Sequence, residues 1–416
     1  VRHTKHRDIV DAALTSLGDR AGDVLSRLLA NSPWLESADS SPVLMAIVGQ
    51  IARQRHEADL IVLVEALRIP NSHEKSQGQL ALIKALAQLP ADALGGSNSP
   101  RIIELQQWRQ SSAADLVRNA RHFLVQNNRA TLAERIAAIE NLALDNFVNQ
   151  QPLLKQLLSP QEPAAIHAAV LSTCSQYDAP AVADFVLERW TMFAPAERTQ
   201  ATELLLRREP WTIALLQYLS NEGVSLSTLN PAHSARLLNY PSAEARRLVR
   251  ALRGRGIMQD RQQVFDDYRE IALNGGDAAK GKLIFERNCA SCHGLAGTGY
   301  PVGPNLASMI NRGAASVLFN ILAPNGEVDP RYLEYVVVTA DGQVLTGMIA
   351  GETSTAVTLR AADNKLTTVL RVDIDELQNT GKSLMPEGFE KLIDKQSMAD
   401  LLTYLQAAAA KNGASQ

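Results

Sequence analysis

Cysteine is scarce in these 416 residues: the chain has three, Cys174, Cys289 and Cys292. So few thiols cannot build a disulfide-stapled scaffold, nor supply the two spaced pairs of a usual structural zinc site. Aromatic residues make up only 5% of the chain. No apolar run approaches the ~18–20 residues that a bilayer crossing needs. The strongest candidate, LIVLVEALRI at 60–69, is interrupted by Glu65 and reads as a buried helix. The formal net charge is −3 and basic blocks are missing, which argues against a nucleic-acid partner or an anionic membrane surface. G-x-S-x-G and H-E-x-x-H are also absent, and the glycines of Asn274-Gly275-Gly276 read as a linker, not as a phosphate cradle. The chain opens on Val1 with neither an initiator methionine nor a basic-then-apolar leader, so a processed or excised form is expected.

Leucine- and alanine-rich segments at helical period, broken by short Pro, Gly, Asn and Ser punctuation, fill residues 1–258. LAERIAAIENL at Leu132, PAAIHAAVLST at Pro163, PAERTQATELL at Pro195 and PAHSARLLNY at Pro231 recur at intervals of roughly 31 to 36 residues, enough for two short antiparallel helices each. Proline in a first turn and alanine at close-packing positions suit stacked helix pairs. This part therefore resembles an α-solenoid of the HEAT or armadillo sort. The segment 101–126 reads as an extended helix or an irregular helix pair within it. The histidines here (His3, His6, His56, His73, His122, His167, His233) form no i, i+4 metal pair, and are expected on the surface or at caps. Cys174 falls on an apolar helical face, and Trp34, Trp108, Trp190 and Trp211 read as packing residues.

The remaining two cysteines stand in NCASCHG, residues 288–294. A thioredoxin-type dithiol wants a strand before it, in a βαβ setting. What precedes Cys289 is GGDAAKGKLIFERN, a loop and a short amphipathic helix that Asp277 can cap. Zinc would have to recruit scattered histidines. Covalent haem accounts for more: thiols three positions apart add to the two vinyl groups of one porphyrin, and the next residue, His293, lies under the iron. One haem c is expected.

Histidine does not occur after His293, so a second axial ligand from this part must be sulfur: Met309, Met348, Met385 or Met398. Met398 sits beside Leu401 and Leu402 on the terminal helical pattern, Met348 within a strand pattern, and Met309 in a short helix after Gly303-Pro304. Met385 stands in a loop before Pro386 and Gly388, free to turn its thioether to the metal, and is the expected ligand with Met309 in reserve. A filled sixth position favours electron transfer over oxygen or peroxide chemistry. Between the ligands, residues 332–377 alternate as strands, with Asp341-Gly342 and Asp363-Asn364 as turns.

GKLIFERNCASCHG, VGPNLA, SLMPEG and the closing LLTYL resemble a class I cytochrome c domain. The resemblance implies Cys289 and Cys292 as thioether residues, His293 and Met385 as axial ligands, and Pro304 as the residue whose carbonyl accepts from the proximal imidazole. The strand-rich piece departs from the plain family and resembles the haem-binding domain of planctomycete-type proteins. In those, a quinoprotein-like dehydrogenase propeller is often fused to a HEAT-like region and this cytochrome. The expected fold is thus mainly α, with a HEAT/armadillo-like α-solenoid at 1–258 and a cytochrome c domain at 259–416 that carries a β-rich insertion. The expected function is electron transfer, as the outlet module of a larger extracytoplasmic (periplasmic or equivalent) dehydrogenase-type protein; the chain itself would be non-catalytic. The competing reading is a helical interaction scaffold with a structural or redox-sensing haem. Partners would be redox donor and acceptor proteins or a fused dehydrogenase domain, with another protein on the helical surface.

Overall fold

The structure, a computed structural model, describes residues 20–30, 40–68, 77–87, 89, 94, 99–126, 130–254, 258–272, 274–326 and 328–413. His3, His6, His73 and Trp34 lie outside them. The chain forms two compact units, Val1–Gln150 and Gln151–Gln416. This division does not coincide with the change of sequence character at 258: the helices that follow Gln151 pack as one body with the strands and the CASCH segment.

The first unit is helical. Helices α1 (Ala21–Leu29), α2 (Ser40–Gln54), α3 (Glu57–Leu67), α4 (Gln77–Ala87) and α5 (Pro100–Gln126) bury Leu25, Ile47, Leu63, Leu82 and Leu105 in one core. The α5 segment, open to reading as a helix pair, is one 27-residue helix. It has no internal proline or glycine to break it. Helix α6 (Leu132–Asn141) starts on a capping box: the Thr131 hydroxyl accepts from the Glu134 N–H while the Glu134 carboxylate accepts from the Thr131 N–H at 2.8 Å. Helix α7 (Phe147–Gln156) follows.

In the second unit, α8 (Ala164–Cys174), α9 (Ala181–Leu187), α10 (Pro195–Leu205), α11 (Glu209–Asn221), α12 (Pro231–Leu238) and α13 (Ala243–Gly254) alternate as neighbours: α8 packs on α10, α9 on α11, and α11 on α13. Proline opens α10 and α12, where its missing N–H costs nothing. Cys174, Trp190 and Trp211 are buried between helices. Two of the histidines expected on the surface or at caps are buried. His167 is buried, with Nδ1 2.6 Å from Glu197 Oε1 and Nε2 2.8 Å from the Ser159 carbonyl, and the buried His233 faces Glu203 at 3.2 Å. Their carboxylate and carbonyl partners make burial affordable, and helical periodicity does not reveal such partners.

The sheet is fully antiparallel in the order β4-β3-β2-β1-β5: β1 (Leu333–Thr339), β2 (Val344–Glu352), β3 (Ala356–Arg360), β4 (Leu366–Leu370) and β5 (Ile374–Ser383). Strand β1 alternates buried and half-buried residues, and Leu333, Tyr335 and Val337 join Val357, Leu359 and Leu377 in its core. The turns fall where expected: Gly342 has φ +83°, and Asp363 and Asn364 both have φ +56°, the left-handed pair that a tight hairpin requires. Two details differ from expectation. The stretch 366–377 is not one strand, because Arg371 turns inward through a 3₁₀ turn to reach Glu352 at 2.5 Å and the Pro160 carbonyl at 3.1 Å. The β-rich piece also extends past 377 to Ser383. It is anchored on the helices as well: Tyr335 donates to the Phe193 carbonyl at 3.2 Å and Gln161 to the Ile374 carbonyl at 2.6 Å.

A further core gathers α14 (Met258–Ala272), α15 (Ala278–Asn288), α16 (Leu306–Ile310), α17 (Ala314–Leu322) and α18 (Lys395–Gly413) around Phe285, Leu318, Leu401 and Leu405. Among the described residues no helix is long and apolar enough to cross a membrane.

Candidate haem-attachment site

Helix α15 carries the CASCH segment, and its start is secured twice. Asp277 caps it by accepting from the Ala279 N–H at 2.8 Å, and the Asp277 N–H in turn donates to Asp400 Oδ1 on α18 at 2.8 Å. Gly276 donates to Thr403 Oγ1 at 2.8 Å, and a Cβ there would sit 2.4 Å from Asp400 Oδ1. Of the glycine pair read as a linker, Gly276 is thus a point of close packing against α18, while Gly275, at φ +87°, has open space around it. One turn later α18 crosses at Gly281, where a Cβ would lie 2.0 Å from the Asp400 carbonyl oxygen. Phe285 then packs on Tyr404 with ring centroids 5.6 Å apart. Helix α15 is held so that its C-terminal end, and nothing else of it, presents the motif.

At that end the backbone closes one tight turn. Cys289 N–H reaches the Phe285 carbonyl at 2.8 Å, and His293 N–H reaches the Cys289 carbonyl at 2.8 Å. The chain then reverses through Ala296 and Gly297, both at positive φ, and runs back along the motif. Tyr300 N–H meets the Ala290 carbonyl at 3.0 Å, and Val302 N–H meets that of Cys292 at 3.0 Å. Gly299 permits this approach, since a Cβ there would fall 2.2 Å from the His293 carbonyl. Gly303 lies flat against the imidazole, where a Cβ would come within 2.4 Å of Cε1.

The ring is oriented by Pro304, whose carbonyl lies 3.0 Å from His293 Nδ1. A carbonyl can only accept, so Nδ1 carries the proton and Nε2 keeps its lone pair free for a metal. His293 is only 8% exposed, and burial lowers its pKa, partly opposed by the Pro304 hydrogen bond, so the neutral, ligating form prevails at neutral pH. Burial pushes the Cys289 thiol up to about 12, with Cys292 beside it adding to the rise. A dithiol redox nucleophile needs the reverse shift. Among the described residues no three His, Cys, Asp or Glu side chains converge as the metal cage of a zinc site. Two thiols and a ring nitrogen that do not meet at one point, with the ring held by a second partner, are the donor set a tethered porphyrin uses.

Comparison with known proteins falls on the same residues. Residues 278–331 match the cytochrome c family. A "Cytochrome c-553-like" protein of Synechocystis sp. is 36% identical over 67 residues, which is 16% of this chain and 62% of that protein. The chain thus spans less than two thirds of that relative's length. A cytochrome c domain implies one covalently bound c-type haem with its iron, and the residues present fit that group.

The four candidate sulfurs are well separated in role. Met398 is fully buried among Leu401 and Leu402 on α18, and Met348 is buried within β2 opposite Arg360. Met309 is half-buried on α16. Met385 is half-buried in a loop and packs against the same apolar core as Cys289, Ala290 and Leu306. That loop begins where β5 ends: Ser383 N–H donates to Asn325 Oδ1 at 2.8 Å, Leu384 N–H to the Tyr332 carbonyl at 3.0 Å, and Met385 N–H to Ser383 Oγ at 3.1 Å. Past Met385, Gly388 turns at φ +94°. Helix α14 then fastens the chain: Tyr268 donates to the carbonyls of Glu390 and Ile393, and Arg261 pairs with the Glu390 carboxylate at 2.9 Å. The hairpin tip between β3 and β4 reaches the motif itself, where Asp363 N–H donates to the Ser291 carbonyl at 2.7 Å.

The sequence reading missed Gly276, Gly281, Gly299 and Gly303. One signal for Gly281 was available: it stands four residues before Phe285, so a gap and a large ring share one face of α15.

Proposed function

We propose that this chain is an electron-transfer module in which Cys289 and Cys292 tether one haem, His293 and Met385 are its axial ligands, and Pro304 orients His293. The observation that carries the reading is the His293–Pro304 hydrogen bond at the end of the CASCH turn, which leaves Nε2 as the outward donor. The position of Met385, half-buried on the apolar core that Cys289 also joins, supports it as the sixth ligand. Bound haem supplies a one-electron Fe(III)/Fe(II) couple, and a thioether donor favours the reduced state. The protein's own part is to keep that site closed and rigid. Helix α14 and strand β5 hold both ends of the Met385 loop, Gly303 keeps the imidazole against the backbone, and the apolar core excludes water. A site so held changes little between oxidation states, as an electron carrier requires.

The alternating helix neighbours between Ala164 and Gly254 support a HEAT-like stack for the helical part, offered as a surface for a protein partner. The sheet, anchored both on those helices and on the motif, supports the planctomycete-type arrangement. In that arrangement the module is the extracytoplasmic outlet of a dehydrogenase, fused or separate, that delivers electrons to a further redox protein.

Replacing sulfurs one at a time tests the ligation. Ferric wild type and Met348→Leu should show the weak near-infrared charge-transfer band of methionine–iron ligation, and Met385→Ala should lose it and bind carbon monoxide when reduced. A band that survives Met385→Ala would overturn the assignment, and rapid carbon monoxide binding by wild type would overturn the carrier reading.

A further inference from the structure

Strand β4 is the open edge of the sheet: it pairs with β3 on one side and, among the described residues, has no strand on the other. The opposite edge, β5, is shielded. It carries Asp375, Glu376 and Lys382, its pairing with β1 is interrupted by register shifts, and the turn Trp190–Met192 lies against it. Strand β4 has none of these protections. Its sequence, LTTVL, holds no charge, proline or glycine, and its pairing with β3 runs without a shift from Leu366 to Leu370. Leu366 and Leu370 are 54% and 50% exposed, although Val369 between them is buried in the core of the sheet.

The hydrogen bonds at the two ends of the β3–β4 ladder fix which way each backbone group points. Ala361 N–H donates to the Lys365 carbonyl at 2.9 Å, and Arg371 N–H donates to the Thr355 carbonyl at 2.8 Å. Bonded and non-bonded pairs alternate along an antiparallel ladder, so Thr367 and Val369 turn their N–H and C=O groups to β3. Leu366, Thr368 and Leu370 turn theirs outward. The Thr358 and Thr368 hydroxyls, 3.0 Å apart, agree with this phase, since side chains approach most closely at a non-bonded pair. Among the described residues those three N–H and three C=O groups have no partner.

We infer that β4 is a docking strand for a second copy of this chain, the two β4 strands lying antiparallel about a two-fold axis at Thr368. This register satisfies every outward group at once. Thr368 exchanges both its bonds with its own counterpart, and Leu366 and Leu370 exchange theirs crosswise. Each exposed leucine is also set beside a leucine of the other copy, on the face away from the core of the sheet. The strand is thus complementary to itself in hydrogen bonding and in side chains, as a two-fold interface requires. The flanking cations do not oppose this. Lys365 would stand opposite Arg371 of the second copy, but that guanidinium is buried and turned in to Glu352 at 2.5 Å. An unrelated extended peptide would use the backbone bonds alone, and the leucine pairing favours the second copy. The β3–β4 tip bonds to Ser291, so the joint sets the CASCH segments of both copies beside one continuous sheet. Backbone pairing at β4 needs no haem, so the inference stands apart from the haem reading.

The test is sedimentation equilibrium of the full haem-loaded chain over a range of concentrations. Wild type should approach twice the monomer mass as concentration rises, since an interface of one strand is small and its dimer dissociates on dilution. Thr368→Lys and Thr368→Glu each set like charges against themselves at the axis, so each should weaken association by at least about tenfold. Thr368 is exposed, so both variants should keep the wild-type circular dichroism. An equal mixture of the two should dimerise again, because only a two-fold register brings residue 368 against itself. Thr368→Pro, which removes an outward N–H and no bond to β3, should also stay monomeric. A wild type that remains monomeric at every concentration, Thr368 variants that dimerise as wild type does, or a mixture that stays monomeric while wild type dimerises would each overturn the proposal.

Discussion

Gly281→Ala is the most demanding perturbation of the arrangement that aims the CASCH turn. The new methyl would sit 2.0 Å from the Asp400 carbonyl oxygen, 2.5 Å from that carbonyl carbon and 2.8 Å from Tyr404 Cβ. Two of these neighbours are helix backbone, so no rotamer change can clear them. Because Cβ contacts essentially stop at 3.0 Å, helices α15 and α18 must part by about 1 Å. That shift stretches the Gly276–Thr403 and Asp277–Asp400 hydrogen bonds, both 2.8 Å, and loosens the Phe285–Tyr404 contact. Overpacking of this kind costs about 1–3 kcal/mol, and weakening two net hydrogen bonds adds about 1–2 kcal/mol. Alanine's better helix propensity offsets about 1 kcal/mol. The net loss is about 1–4 kcal/mol, a fall in thermal midpoint of roughly 2–16 °C for a unit of this size. Thermal unfolding followed by far-ultraviolet circular dichroism reads it, with the exposed Lys280→Ala on the same helix as control. A Gly281→Ala protein as stable as wild type, or more stable, would show that the two helices are not clamped at this point.

Three further outcomes follow from single contacts. Gly303→Ala places a Cβ against the His293 ring, so it should displace the imidazole and lower the fraction of protein recovered with haem; full loading with an unchanged spectrum would contradict the geometry. The double variant Cys289→Ala, Cys292→Ala should lose its colour into acidified acetone while wild type keeps it, and extraction of colour from wild type would exclude thioether attachment. Thr131→Ala removes the capping box of α6 and should cost about 1 kcal/mol in urea unfolding, with Thr131→Ser close to wild type; equal loss in both would place the effect outside the cap.

Short-range chemistry was readable in the sequence because it is written in adjacent residues. The CASCH motif, the Asp277 cap, the Asp363-Asn364 turn and the burial of Cys174 each depend on a few neighbours or on one periodicity. What was not readable depends on groups distant in the chain. Gly276 and Gly281 are required by Asp400, over a hundred residues later, and a glycine does not announce what it makes room for. His167 is buried because Glu197 and Ser159 are waiting for it, which helical period cannot encode. Arg371 breaks a strand pattern because Glu352 and Pro160 lie across the sheet and helix. The reading of 332–377 as an inserted piece captured its strands but not their destination. Strand β5 runs on to Ser383 and hands the chain directly to Met385, while the β3–β4 tip bonds to Ser291, so the sheet touches the candidate site at both ends.

The central claim is that one covalently held haem exchanges single electrons in a site whose ligands do not change. Spectroelectrochemical titration of the purified full chain tests it most directly. The account predicts one reversible wave fitted by a single one-electron step, identical in the reductive and oxidative directions, with low-spin spectra at both ends and no reaction of the reduced protein with carbon monoxide. Hysteresis between the two directions, or a high-spin reduced form that binds carbon monoxide at once, would contradict it.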